Sequence, residues 1–467
     1  MGDRILLGID IACKSQHQAS CADSRGDFLW SGWRFRTSSC ELETLWSKLP
    51  ADHEVQVVIE PTGNAWVPLA VWLKRQGAKV ALVPPEQSSD LRNYYNKHSK
   101  TDRLDSRVLA RLPLLHPEGL RPIDSLGTAD PLRRVVRRRS SLKRQRSATL
   151  LRIDSLLELM GPALGEALVS PNFGKAALAV LERYADPMDL RQVGRARLTK
   201  LLIQHSRGAW REAKADQLRE AALDAIRIWR DADLAFQIDF AQLASDISSE
   251  VRMIRRLDQE IEEVDARIEA LYQRADPAGV VASTPGIGVI TAAAILGRTG
   301  DFNRFENLSG VRAFTGLVPK LDQSGLTERH GRPTKAGDPG LREALFIAAD
   351  HARKVDPNLA ARYYRLMVQE GKHHNSALCT VAATLITRIA ACWRNGQAYE
   401  LRDIDGSLIT ETKGRQICAE RFAITPEIRA ARRQATRAKQ QKMGTGRHKK
   451  ESTEAAPVLG PSIEKAS

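Results

Sequence analysis

The sequence predicts an α/β N-terminal domain followed by a mainly helical remainder. Short apolar and β-branched runs separated by turn residues are confined to the first 115 positions. From about residue 128 onward, apolar residues recur at spacings of three and four, the period of a helix with one buried face. The chain of 467 residues is long enough for several domains, and 42% apolar against 27% charged residues is globular composition.

The elements follow in order. Arg4–Asp10 (RILLGID) is an apolar run read as the first strand, and Gln16–Ala22 and Asp27–Phe35 are further strands joined by a Ser-Arg-Gly turn. Glu41–Leu49 is a short helix, Val55–Glu60 a β-branched strand, Trp66–Gln76 a helix, and Ala78–Val83 a strand ending at Pro84-Pro85. Thr101–Leu112 reads as a helix with Thr101 or Ser99 near its cap. Together they suggest a mixed sheet flanked by helices.

Further on, Phe240, Leu243, Ile247, Val251, Ile254, Leu257, Ile261, Val264, Ile268 and Leu271 form an a/d stripe flanked by charge. It predicts a long coiled-coil arm, the alternative being two helices packed within one subunit. The segment VVASTPGIGVITAAAILGRTGDF reads as helix, Gly-rich turn, helix. Its Pro285-Gly286-Ile287-Gly288 resembles the hairpin of a helix-hairpin-helix element, with tight helix packing as the alternative. Leu341–Lys354 and Ser376–Trp393 are two more helices, and a polar stretch lies between Gly316 and Gly340. That stretch is long for a plain connection, which points to a functional loop. The predicted domains are therefore 1–125, a helical and coiled-coil connector at 126–277, a C-terminal domain at 278–427, and a basic disordered tail at 428–467.

The positive charge is localised. Of a net charge of +15, residues 133–146 carry eight Lys/Arg and no acid, and residues 429–450 carry nine and no acid. Removing those 17 leaves 54 bases against 56 acids. Two acid-free runs in an otherwise neutral chain point to a polyanion bound at defined places. The candidate nucleic-acid contacts are Arg133, Arg134, Arg137, Arg138, Arg139, Lys143 and Arg144, with Lys335 and Arg342 as candidate phosphate contacts further on. Aromatics are only 5%, which favours phosphate contact over stacked bases. The six cysteines form no Cys-x-x-Cys pair, against a zinc ribbon or disulfide scaffold, and no apolar run approaches the ~20 residues of a membrane span. A cytoplasmic protein with no membrane partner is expected.

Four acids stand out. Asp10 and Glu60 each close an apolar strand, and sites in open sheets form beyond the carboxyl ends of parallel neighbours. Asp102 and Asp105 sit three apart on one helical face, where a solvated first turn is the alternative. Four hard oxygen donors without His or Cys suit Mg²⁺ or Mn²⁺ rather than zinc. Two such ions can clamp the attacking and leaving oxygens of a phosphoryl transfer.

GIDIA at 8–12, IEPTG at 59–63 and NKHSKTDRLDSRVLA at 96–110 resemble the DEDD tetrad of transposases with a RuvC-like, RNase H fold. TPGIGVITAAAILGRTGDFNRF, FTGLVP and QSG followed by TKAGDPGLREAL resemble the C-terminal domain of the same group, the insertion-sequence-110 and -1111 type. The resemblance implies that Asp10, Glu60, Asp102 and Asp105 bind the metals. It also implies a serine nucleophile after FTGLVP, which is Ser324 here, with Thr327 and Thr334 as weaker rivals. Such an enzyme excises and inserts its own mobile element. The resemblance further implies a composite site completed between subunits, a dimer or tetramer assembled through the coiled coil, DNA partners at the element ends and target, and guidance by an element-encoded bridge RNA. Two other readings fit the tetrad or the charge alone: a metal-dependent structure-specific nuclease without a covalent intermediate, and a non-catalytic nucleic-acid-binding protein.

Overall fold

The computed structural model describes residues 4–95, 101–123, 127, 129–168, 173–230, 238–324, 327–428, 430–431 and 434. The chain forms two compact units, Met1–Leu126 and Gly127–Ser467.

In the first unit, β1 (Arg4–Asp10), β2 (His17–Ala22), β3 (Phe28–Phe35), α1 (Ser39–Ser47), β4 (Glu54–Glu60), α2 (Trp66–Arg75), β5 (Lys79–Leu82), α3 (Pro85–Tyr95), α4 (Asp102–Leu115) and β6 (Arg121–Pro122) build a sheet of order β3-β2-β1-β4-β5-β6. β1, β4 and β5 are parallel neighbours and the others pair antiparallel, so the sheet is mixed, as expected. One face, with Ile5, Leu7, Ile9, Val57 and Ile59, is buried under Leu42 and Leu45 of α1 and Leu69 and Leu73 of α2. On the other face α4 packs, with Leu109 and Leu112 against Val58 and Val83. The Thr101 hydroxyl accepts from the Leu104 amide at 3.2 Å and caps α4, one of the two expected caps.

Helix α3 is hidden in the sequence because Pro84-Pro85 reads as a stop. Pro85 instead occupies the first helical position, where its missing N–H costs nothing.

The second unit is helical: α5 (Asp130–Met160), α6 (Pro162–Leu168), α7 (Lys175–Tyr184), α8 (Pro187–Gln192), α9 (Arg195–Ser206), α10 (Glu212–Trp229), α11 (Phe240–Ala275), α12 (Val289–Thr299), α13 (Leu308–Thr315), α14 (Pro339–Ala352), α15 (Pro357–Tyr364), α16 (His374–Asn395) and α17 (Glu411–Arg421), with one hairpin of β7 (Pro319–Ser324) and β8 (Thr327–Pro333). The a/d stripe does form one long helix, α11. Ile247, Val251, Ile254, Val264 and Ile268 are at most 4% exposed within the single chain, packed along α5. The pair is antiparallel: Arg139 pairs with Asp265, Arg146 with Asp258 and Arg152 with Glu250, partner numbers falling as α5 advances. The intrachain helix pair, the alternative left open by the sequence, is thus the arrangement found.

Two further expectations change. Val280–Ser283 form turns rather than a helix. The Asp276 carboxylate accepts from the Val280 and Val281 amides at 2.9 Å, and the Tyr272 hydroxyl accepts from the Ala282 amide at 2.9 Å. That buried cap ends α11 and satisfies the amides that a following helix would have used. The polar stretch after Gly316 contains the β7–β8 hairpin, not a loop alone. Helix α16 is long and apolar enough to cross a membrane, but Leu378, Val381, Leu385 and Ile386 are fully buried in the core of this unit. The basic run and tail from residue 429 onward lie, but for residues 430, 431 and 434, outside the described residues.

Candidate active site

Asp10 and Glu60 are register partners on adjacent parallel strands, with Gly8 opposite Val58 two residues earlier. Side chains two apart share a sheet face, so both acids lie on the face that carries Val58 and α4. They stand at the carboxyl edge of the sheet, as the strand-end reading required. Ser88 of α3 donates its hydroxyl to Glu60 Oε2 at 2.6 Å and is itself buried, which fixes that carboxylate. Nothing in the motif pattern marked Ser88.

Helix α4 runs antiparallel to β1. Near its start Arg103 Nε donates to Ser31 Oγ at 2.9 Å, at mid-helix the Ser106 and Ser20 hydroxyls bond at 2.8 Å, and Arg111 Nε donates to the Gly26 carbonyl at 3.1 Å. Ser20 is the register partner of Gly8, and Ala22, opposite Leu6, pairs with Phe28 near Gly26. The first turn of α4, bearing Asp102 and Asp105, is therefore at the same edge as Asp10 and Glu60. The close approach depends on Gly8. A Cβ there would lie 2.2 Å from both the Ala110 nitrogen and the Ser106 carbonyl oxygen. An isolated glycine inside an apolar strand is the signal that could have located this crossing from sequence.

The topology thus gathers all four acids at one edge, while among the described residues no three His, Cys, Asp or Glu side chains close into a metal-sized cluster. The donor set nevertheless fits a hard divalent cation. Mg²⁺ keeps several waters and is commonly held by only one or two carboxylates plus substrate phosphates, which the Asp10–Glu60 pair provides.

In the second unit, Ser324 is the last residue of β7 and pairs with Thr327 across a two-residue connection, so it sits at the hairpin tip. The base of the hairpin is tightly held. The Thr334 amide donates to the Val318 carbonyl at 2.9 Å, Lys335 to Gly316 at 3.0 Å, and Arg342 Nη1 to the carbonyls of Lys335 and Gly337 at 3.0 and 2.8 Å. Asp338 caps α14 through the Gly340 amide and pairs with Arg298 Nη1 at 2.7 Å. Burial pushes the Asp338 carboxyl upward, but Arg298 and the two capping amides outweigh it and hold it below the usual range. Arg342 braces the loop through Nη1, and Lys335 is exposed. Gly286, within the expected hairpin-like turn, packs on the end of α14, where its Cβ would lie 3.0 Å from the His351 carbonyl carbon.

The basic run of α5 is mostly engaged by protein. Arg133 is half-buried and donates through Nε to the Gly297 carbonyl at 3.0 Å, and burial lowers its pKa. Arg134 pairs with Asp130, Arg137 reaches Asp338 at 3.7 Å, Arg138 reaches Glu260 at 3.4 Å, and Arg139 and Arg146 grip Asp265 and Asp258. Lys143 and Arg144 remain exposed. The acids that face Arg138, Arg139 and Arg146 come from α11, about 120 residues later in the chain.

A family model for DEDD transposases of the IS110 type matches residues 7–162, and a second, the transposase IS116/IS110/IS902 family, matches residues 278–365. The chain is 27% identical over 403 residues to the insertion element IS110 uncharacterized 43.6 kDa protein of Streptomyces coelicolor, spanning 85% of this chain and 96% of that one. A similar protein of insertion element IS116 in Streptomyces clavuligerus is 27% identical over 401 residues, 85% of this chain and 96% of that one. The pilin gene-inverting protein of Moraxella bovis is 22% identical over 411 residues, 85% of this chain and 98% of its own length. The first model covers all four acids and the second covers the hairpin with Ser324; the chain belongs to the IS110 family of DEDD transposases.

Proposed function

We propose that this transposase excises and inserts a DNA element with Mg²⁺ or Mn²⁺ held at the Asp10, Glu60, Asp102 and Asp105 edge and Ser324 as nucleophile. The observation that carries the reading is the in-register Asp10–Glu60 pair with the first turn of α4 at the same edge. A bound divalent ion there supplies charge neutralisation for the phosphoryl group. The chain's own part is positional: Ser88 holds Glu60, the Gly8 contact seats α4, and the braced hairpin base carries Ser324.

In the proposed step, the Ser324 hydroxyl loses its proton to solvent or a base and its oxygen bonds to phosphorus, while the bond from phosphorus to the departing strand oxygen breaks. The phosphodiester is conserved as a phosphoserine ester, so a hydroxyl of another strand can reverse the step and regenerate Ser324. Guidance by a bridge RNA and assembly into a dimer or tetramer belong to the same reading, which rests there on family likeness. The name of the Moraxella relative, a gene-inverting protein, fits recombination at defined sites.

The test is a covalent adduct. Wild type incubated with element ends and Mg²⁺, then digested with nuclease, should carry a nucleotide mass on the peptide containing Ser324, and Ser324→Ala should carry none and lose strand transfer. Normal recombination by Ser324→Ala, or an adduct on Thr327 or Thr334, refutes the serine. Metal-dependent cleavage with no adduct would favour a nuclease without a covalent intermediate.

A further inference from the structure

Helix α4 carries Arg103, Arg107 and Arg111 at intervals of four, which places them on one stripe at steps of about 6 Å along the axis. The stripe faces β3, the edge strand of the sheet. Arg103 Nε donates to Ser31 Oγ at 2.9 Å, the Arg107 guanidinium lies 4.3 Å from the centre of the Phe28 ring, and Arg111 lies 4.7 Å from the same ring with its Nε on the Gly26 carbonyl. Among the described residues, none of the three pairs with a carboxylate. The contrast with α5 is sharp, since six of its arginines have acid partners.

Three cations one helical turn apart repel one another, and acids would ordinarily relieve that. Here an aromatic ring and neutral oxygens hold them instead. Stacking engages the π face of a guanidinium, and an Nε bond uses one of its five N–H groups. The terminal Nη groups of each fork stay in plane, the arrangement that matches phosphate oxygens. The stripe also starts between Asp102 and Asp105, at the acidic edge.

The geometry points to the α4–β3 face as a track for the phosphate backbone of DNA, leading a strand to the carboxylate edge. The destination rests on the proposed reading of that edge as the metal site; the binding does not. The step of the ladder is comparable to the spacing of successive phosphates on an extended strand, so each arginine can take one.

The test measures binding by the full chain without divalent metal, so that no chemistry contributes and failure of the metal site is a separate result. Fluorescence anisotropy with a labelled DNA oligonucleotide gives the slope of log affinity against log salt. For single-stranded DNA the Arg103→Gln/Arg107→Gln/Arg111→Gln variant should lower that slope by about 0.7 per arginine, roughly 2 in total, and the triple Lys variant should keep it. Arginine-selective phenylglyoxal labelling of wild type, mapped by mass spectrometry, should show all three protected by DNA, which holds even if the Gln variant folds poorly. An unchanged slope in a folded Gln variant, unprotected arginines, or a loss seen only with an RNA oligonucleotide would overturn the track.

Discussion

Ser88 donates its hydroxyl to Glu60 across 28 residues of chain, at 2.6 Å, and Glu60 is in turn the register partner of Asp10. A buried serine on a helix that the sequence hides behind two prolines therefore orients one member of the acidic pair. Asp10→Asn or Glu60→Gln should leave the fold intact and abolish recombination, because a neutral amide is a poor ligand for a hard dication. Ser88→Ala should have a milder effect, raising the Mg²⁺ concentration needed for half-maximal activity by about tenfold, within the range for loss of an outer partner of a metal ligand. Circular dichroism and a metal titration of recombination would check both, and full activity of Asp10→Asn at ordinary Mg²⁺ would remove Asp10 from the site.

Gly8→Ala tests the crossing of α4 over β1. The added methyl meets two backbone atoms at 2.2 Å, and backbone cannot turn aside as a flexible side chain can. The cost should be about 1–3 kcal/mol, as for overpacking, read as a lower urea midpoint. Recombination should fall by more than stability explains, because α4 carries Asp102 and Asp105. A variant as stable and active as wild type would show that α4 is not seated there.

How much of this was legible in sequence divides along physical lines. The strands β1 and β4 and the acids closing them were legible, since apolar runs and their ends are local properties. Their adjacency is a non-local property, and the register settles it. At 133–146 the sequence shows a charge but not what faces it: Asp265, Asp258 and Glu260 come from α11. The stripe of α11 was recognised, but a period of three and four cannot tell an intrachain partner from an intermolecular one. The α4 arginines are hidden for the opposite reason, as they are spaced four apart beside Asp102 and Asp105 and form no run.

Arg138, Arg139 and Arg146 should therefore act on stability more than on nucleic-acid binding. Replacing all three by Gln should leave the salt dependence of DNA binding nearly unchanged and lower the unfolding midpoint, at about 0.2–1 kcal/mol for each partly exposed pair. Lys143→Gln/Arg144→Gln should do the reverse, reducing the slope while sparing stability, since both side chains are exposed. Equal slope changes in the two variants would return the whole run to nucleic-acid contact.

The last prediction concerns pH. His17 opens β2 and is buried, with Nδ1 accepting from the Ala12 amide at 3.2 Å, so its proton belongs on Nε2, which then donates to Thr37 Oγ1 at 2.8 Å. The bond from Ala12 needs the neutral ring, because protonation at Nδ1 removes its acceptor. Burial lowers its pKa, and Glu41 opposes the shift without cancelling it. A lowered folded-state value means that the unfolded chain takes up the proton first as pH falls. The stabilisation from neutral His17 is thus complete above the unfolded value, about 6.5, and is lost progressively as pH falls from there through the lower folded value. Because Ala12 lies two residues past Asp10, that loss loosens the chain leaving the acidic edge. Urea unfolding of wild type should therefore weaken from about pH 6.5 downward, and His17→Gln, which cannot titrate, should show a flatter profile over that interval. Parallel profiles for the two proteins would mean that His17 is not the group responsible.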